Sequence, residues 1–387
     1  MVICGKLRIN TECLLQVMAL GFPMFQEVKT GRDLPLKKLP ICIENSLPTE
    51  CWSYYRFAVI EAYPHLIPWT VQHYQHIFSS YECGWEVFHG QNGAKYDRLT
   101  YYSDALITEG MYHGEIPSDA LIPFIREKID RGMYPLIECD YSLLMGREPG
   151  FIHEVLIYGY DDEKQVLFCP LLKNGKWREE TIGYAEFQQA YASFDHLSSD
   201  IIGSNLFKRE YLAPVTLLSP RKDYDTKYSP FILCNDLRAI EFQSYRVYET
   251  YDTADGSICP VYNGYLGVYN ALLIAAKRIL ADEEFRRQYN YPENLNRLCV
   301  YRQRFDKNIK IILSHFSIPY DESWFLLGED IAQDLNRCMM LALKYEQTGK
   351  PQHIQRIYDY LLKTFQKEQQ VFYPLYETVQ KWLLTHY

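Results

Sequence analysis

Residues 151–177 read FIHEVLIYGYDDEKQVLFCPLLKNGKW, and their alternation decides how the first half of the chain folds. Ile152 to Tyr160 is rich in β-branched and aromatic residues, Asp161-Asp162 is a turn signal, and 165–169 is a second apolar run. Lys173-Asn174-Gly175-Lys176 then marks a tight turn before a third run at 177–182. Connections this short join antiparallel neighbours, so the stretch predicts a small antiparallel sheet with His153 at the beginning of a strand. Tyr184 to Ala192 follows with the spacing of a short helix.

Toward the N-terminus, Leu121, Ile122, Ile125 and Ile129 carry helical spacing from Ser118 to Asp130, and Arg131-Gly132 stops that helix before a strand at about 133–140. The segment from about 48 to 80 predicts two helical runs. Phe57, Ile60 and Glu61 follow Cys51-Trp52-Ser53 in the first, and after a proline-containing break Trp69, Tyr74 and Ile77 mark the second. Pro48-Thr49-Glu50 opens the first run: Thr49 caps it and Glu50 suits its positive end. Cys51 therefore falls where a helix dipole stabilises a thiolate.

Toward the C-terminus, Pro214, Pro220, Pro230 and Arg221-Lys222-Asp223 make a loop-rich stretch, beyond which strand signals fade. Apolar spacing at about 236–250, 262–290, 292–315, 321–348 and 351–385 is helical. At 387 residues the chain exceeds the roughly 250 to 300 at which single cores stop growing. The expected organisation is thus α+β: a first domain over 1–213, a linker at 214–235 and a helical domain over 236–387.

Composition narrows the function classes. Forty basic against forty-nine acidic residues give a net charge of −9, which offers no footprint for a phosphate backbone, so nucleic acid is not an expected partner. Eleven cysteines without a CxxC pair argue against a zinc module or disulfide framework and for a reducing, cytoplasmic setting. Arg8, Glu12 and Gln16 interrupt the apolar N-terminal stretch, so no export signal is read, and no apolar run reaches the roughly 20 residues that span a membrane. Thirty-four tyrosines, 19 phenylalanines and 6 tryptophans suit a wide, semi-polar cleft or interface.

A thiol at a helix start and, about a hundred residues on, a histidine at a strand start satisfy the topology of a nucleophile and its base. Cys51 and His153 are that pair. The 151–177 stretch together with IGYAEFQQAY (182–191) resembles the histidine-bearing half of papain-like proteins of the double-glycine peptidase type. CWSYYRFAVIEAY (51–63) with PWTVQHYQHIF (68–78) resembles the nucleophile helix of bacterial relatives encoded with natural-product assembly lines, the butirosin-pathway acyltransferase type among them. The papain-fold amide synthetase of clostridial polythioamide (closthioamide) assembly is a similar cousin, and YNGYLGVYNALL (262–273) resembles the helical C-terminal part of such proteins.

The resemblance implies a papain-like fold, Cys51 as nucleophile and His153 as base. It also implies an acyl donor carried as a thioester on the phosphopantetheine of an acyl or peptidyl carrier protein, a small amine acceptor and an amide product. No further cofactor and no metal are expected. A cysteine peptidase or thioesterase would use the same two residues, and a non-catalytic papain-fold binding protein is the third reading. The sequence departs from the family at Cys169, in FCPLL, where an Asp that orients the imidazole is usual. A neutral thiol orients a histidine poorly. Asp140, at the end of the preceding strand, is the expected substitute, the alternative being a carboxylate that caps a turn. Asn45, six residues before Cys51, is the candidate oxyanion donor, against a plain turn residue in Glu44-Asn45-Ser46.

Three features are set lower. His73 and His76 stand one helical step apart without a supporting ligand and are expected as solvated helix histidines. Cys83 is a distant second nucleophile, and no phosphate-binding glycine loop occurs. The helical half is expected to pack near the cleft, roofing it or mediating a homodimer.

Overall fold

The computed structural model describes residues 35–45, 51–74, 76–80, 87–89, 102–111, 115–173, 176–193, 215–223, 227–242, 246–249, 258–289 and 291–387. In chain order it holds β1 (Leu36–Lys38), α1 (Cys51–Ile60), α2 (Ile67–His73), β2 (Ile77–Ser80), β3 (Val87–His89), β4 (Leu106–Met111), α3 (Leu121–Asp130), β5 (Tyr134–Asp140), the one-turn α4 (Tyr141–Leu144), β6 (Ile152–Leu156), β7 (Gly159–Asp161), β8 (Val166–Lys173), β9 (Lys176–Gly183), α5 (184–193) and β10 (Val215–Pro220). There follow α6 (Pro230–Phe242), β11 (Arg246–Glu249), β12 (Ile258–Asn263), α7 (Gly264–Ala281), α8 (Glu283–Gln288), α9 (Tyr291–His315), α10 (Glu322–Thr348) and α11 (Pro351–His386). The class is α+β, with antiparallel pairing in every described ladder.

The alternating stretch folds as its pattern predicts. The strands form one sheet in the order β4-β10-β5-β6 and a second in the order β1-β7-β8-β9. Residues 157 and 158 hand the chain from one to the other: Ile157 N–H still donates to Pro135 O of β5 (2.8 Å), while Tyr158 N–H donates to Phe168 O of β8 (3.1 Å). Gly159 sits where β1 crosses closely, since a Cβ there would stand 2.5 Å from the Lys37 carbonyl oxygen. Helix α1 packs against β10, a strand of the sheet that carries His153.

Beyond residue 213 the structure corrects the expected organisation. The stretch read as a linker contains β10, which is hydrogen-bonded between β4 and β5 in the interior of the first sheet. A third sheet, β11-β12-β2-β3, pairs Val261 with Ser80 and Phe78 with Phe88, joining strands from both sides of the expected boundary. Residues 35–387 accordingly form one compact unit. Ile77, expected on a helix, opens β2 instead, and 246–249 and 258–263 are strands where strand signals had faded. Strands β2 and β12 pair with each other across the chain and β11 pairs with β12, and local periodicity carries no trace of this sheet.

The helical half follows its local signals. Asp282 caps α8 by accepting from Phe285 N–H (3.0 Å), and Asp321 caps α10 by accepting from Ser323 N–H (2.8 Å). Gly349, in the left-handed region at φ 64°, ends α10, and Pro351 begins α11. Helix α11 packs along α10, α7 and α6, and α10 along α9. Helix α9 reaches across to α2 and β3, and α7 to β2. Among the described residues no helix is long and apolar enough to cross a membrane.

Candidate active site

Cys51 is the first residue of α1, as its position after Pro48-Thr49-Glu50 predicts; its side chain lies outside the described residues, and so does Cys83 altogether. The six cysteines whose side chains are described are Cys42, Cys139, Cys169, Cys234, Cys299 and Cys338. Burial pushes all six thiols up: Cys42 to about 12, Cys299 to about 11, Cys338 to about 12, with Cys139, Cys169 and Cys234 also raised. They are protonated at neutral pH and offer no rival thiolate.

His153 lies at the second position of β6, half-buried, with its ring between Tyr141 (centroids 5.3 Å) and Phe151 (5.6 Å). Its Nδ1–H donates to the Glu154 carbonyl at 2.8 Å. The same carbonyl accepts from the Tyr55 hydroxyl of α1 at 3.0 Å. The Glu154 side chain in turn lies 3.8 Å from the Arg56 guanidinium, which is 1% exposed. Two consecutive residues of α1 thus grip the residue next to His153, one through its main chain and one through its carboxylate. Position 51 is one turn before Tyr55 on the same helix face. Tyr54 stacks on Trp177 of β9 (3.7 Å) and donates to Ile43 O (2.7 Å), which seats the other side of α1.

Asp140 does not join this group. The residue opposite His153 in the ladder is Cys139, while Asp140 pairs with Ile152 and so projects from the other face of the sheet. Its carboxylate is fully buried and caps α4, accepting from Ser142 N–H (3.1 Å), Gly150 N–H (3.4 Å) and the Ser193 hydroxyl (3.0 Å). The turn-capping alternative is therefore the one realised, and Asp140 shapes the 141–150 loop that delivers Phe151 and His153 to the sheet edge. Cys169 is fully buried in β8.

Asn45 is likewise a turn residue. Its side-chain amide donates to Cys42 O (3.3 Å) and Tyr54 O (3.2 Å), so its two N–H groups tie the approach loop to α1. An oxyanion would find both donors engaged. His73 and His76 are not solvated: His73 stacks on Trp69 (4.4 Å) and burial lowers it to about 4, while His76 Nε2 meets Asp236 Oδ1 at 2.9 Å. Among the described residues no group of three or more His, Cys, Asp or Glu side chains could hold a metal ion.

No family model matches the chain, and no curated protein matches it. The functional reading therefore stands on this geometry and on the resemblance of the 51–63 and 151–177 stretches. Sequence reasoning missed Tyr55, Arg56, Tyr141 and Phe151. Only Tyr55 carried a signal, its i+4 spacing from Cys51.

Proposed function

We propose that the chain is a cysteine-dependent acyltransferase of papain-like fold that makes an amide from a carrier-bound acyl thioester and an amine in natural-product biosynthesis. The observation that carries the reading is the hold of α1 on Glu154: the helix that begins at Cys51 is hydrogen-bonded through Tyr55, and ion-paired at 3.8 Å through Arg56, to the residue beside His153. With Nδ1 as donor to a carbonyl, the imidazole keeps Nε2 as proton acceptor.

In this reading Nε2 takes the Cys51 thiol proton and the sulfur bonds to the thioester carbonyl carbon. The carrier thiolate leaves, with its proton returned by the imidazolium. The amine then bonds to that carbon as its proton passes to His153, the Cys51 sulfur departs, and the amide is released. Phosphopantetheine enters only as part of the donor, and no metal takes part. The setting is the cytoplasm.

A second reading, a binding protein without catalysis, has an observation in its favour: Asp140 is turned away from His153 and the Asn45 amide is engaged elsewhere. Intact-mass measurement after incubation with simple acyl thioesters, with and without a diamine, separates the readings. An adduct absent in Cys51→Ala, slowed in His153→Ala and discharged by the amine to an amide supports the transferase. Discharge by water alone moves the assignment to a thioesterase. No adduct, together with Cys51 reacting with iodoacetamide no faster than the other ten thiols, moves it to the binding protein.

A further inference from the structure

We infer that Tyr55 is a positioning residue of this site: its hydroxyl holds the Glu154 carbonyl that receives the His153 Nδ1–H, and so fixes the imidazole with Nε2 facing the chemistry. The inference rests on the reading of His153 as the base.

A carbonyl oxygen has two lone pairs, and here both have a donor, His153 Nδ1 at 2.8 Å and Tyr55 Oη at 3.0 Å. A neutral imidazole carries one N–H, so committing it at Nδ1 commits the acceptor role to Nε2. The carbonyl does for the ring what a carboxylate does in a three-residue site, selecting tautomer and orientation. A carbonyl can do this only if it is itself held, and β6 is an edge strand, laddered to β5 on one side alone. Tyr55 supplies the hold. Its side chain is 1% exposed and wedged edge-on against Tyr54 (5.7 Å) and Trp177 (5.4 Å), so its hydroxyl has little freedom to follow a drifting strand. Because Tyr55 shares a helix face with position 51, the same contact gauges the separation between nucleophile and base. A displacement of about 1 Å at such a separation costs up to about a hundredfold in rate.

The test is Tyr55→Phe, which removes one oxygen, beside Tyr54→Phe, which removes the neighbouring hydroxyl from Ile43 O and leaves Glu154 alone. ¹⁵N-histidine NMR, with His153 assigned by its loss in His153→Gln, reads the tautomer without any turnover. Wild type is expected as the Nδ1–H form. Tyr55→Phe is expected to lower the Nδ1–H to Nε2–H ratio about fivefold, the value of one ordinary hydrogen bond. It should slow single-turnover acylation of Cys51 by about the same factor or more, with thioester affinity unchanged. Tyr54→Phe should move neither reading, although it costs comparable stability in urea. An Nε2–H wild type, or a Tyr55→Phe protein whose tautomer matches wild type, overturns the inference. A wild type that is Nδ1–H yet forms no acyl adduct overturns the acyl-transfer reading, while the tautomer shift in Tyr55→Phe still decides this one.

Discussion

Among the described residues Arg56 and Arg302 are almost wholly buried, and they serve different ends. Arg302 of α9 is sealed inside the helical half, where Nε donates to both Glu368 oxygens (2.9 and 3.0 Å) and Nη1 to Asp306. Tyr269 donates to the same Glu368 (3.2 Å), and Phe305 and Phe372 lie 5.2 and 6.0 Å from the guanidinium. Arg302 and Glu368 are fully buried in the helical core, and Asp306 lies at the edge of the cluster, 15% exposed. Arg56 of α1 is just as buried, but its partner Glu154 borders a half-buried imidazole whose neighbour Phe151 is 55% exposed. A buried charge therefore marks architecture when its partners lie deep in the core, and marks a site only when a reactive group shares its edge with solvent.

The largest expected effect tests the first half of that contrast. Arg302→Met leaves buried Glu368 and partly buried Asp306 without their cation and should cost about 3–5 kcal/mol in urea denaturation, with the His153 tautomer unchanged. A cost below about 1 kcal/mol would mean the helical core does not depend on the cluster. Asp140→Ala comes next, at about 2–3 kcal/mol, because three hydrogen bonds to a buried carboxylate go with it. If Asp140 is a cap, single-turnover acylation should fall less than about tenfold; a fall of a thousandfold would restore it as the imidazole's partner. Gly328→Ala tests how closely α10 approaches the Arg302 cluster. A Cβ at 328 would run into Asp306 Oδ2 and stand 2.9 Å from Arg302 Nη2, and Asp306 is anchored by its ion pair. The expected cost is about 1–3 kcal/mol.

The contrast also explains what could be read from the sequence. The strands from 134 to 183 and the helices from 264 onward were legible because each announces itself within a dozen residues, through alternation and tight turns or through periodicity and caps. The third sheet was not, because Ile77–Ser80 and Ile258–Asn263 become strands by finding each other across nearly two hundred residues. In the site, Cys51 at a helix start and His153 at a strand start were legible as local features. Asp140 was misread because strand parity was left out: in an antiparallel ladder the residue facing His153 is Cys139, and the next one points away. The carbonyl that holds the imidazole belongs to the main chain, so no residue type could have announced it. The Arg302 cluster was invisible for a related reason, since Arg302 and Glu368 lie 66 residues apart and meet only in the folded helical half.

A pH dependence separates the two regions by its sign. Burial pushes the Glu368 carboxyl up to about 7 against the opposing pull of Arg302, from an ordinary value near 4.5. Between those two values the unfolded chain has given up this proton while the native core still holds it, so deprotonation favours unfolding as pH rises. The Glu368 contribution to stability is thus complete below about 4.5, declines as pH rises toward about 7 and is level above that. The urea midpoint of wild type relative to that of Glu368→Gln, which cannot titrate, should decline from pH 5 to 7; His73, lowered by burial to about 4, gives the opposite slope below its ordinary 6.5 in both proteins and cancels in the difference. Carboxylates such as Asp282 and Asp321, held below their ordinary range by backbone N–H groups, give the opposite slope at lower pH. A difference that does not change with pH would place the proton elsewhere, and Asp306, whose carboxyl burial also raises, would be the next group to substitute.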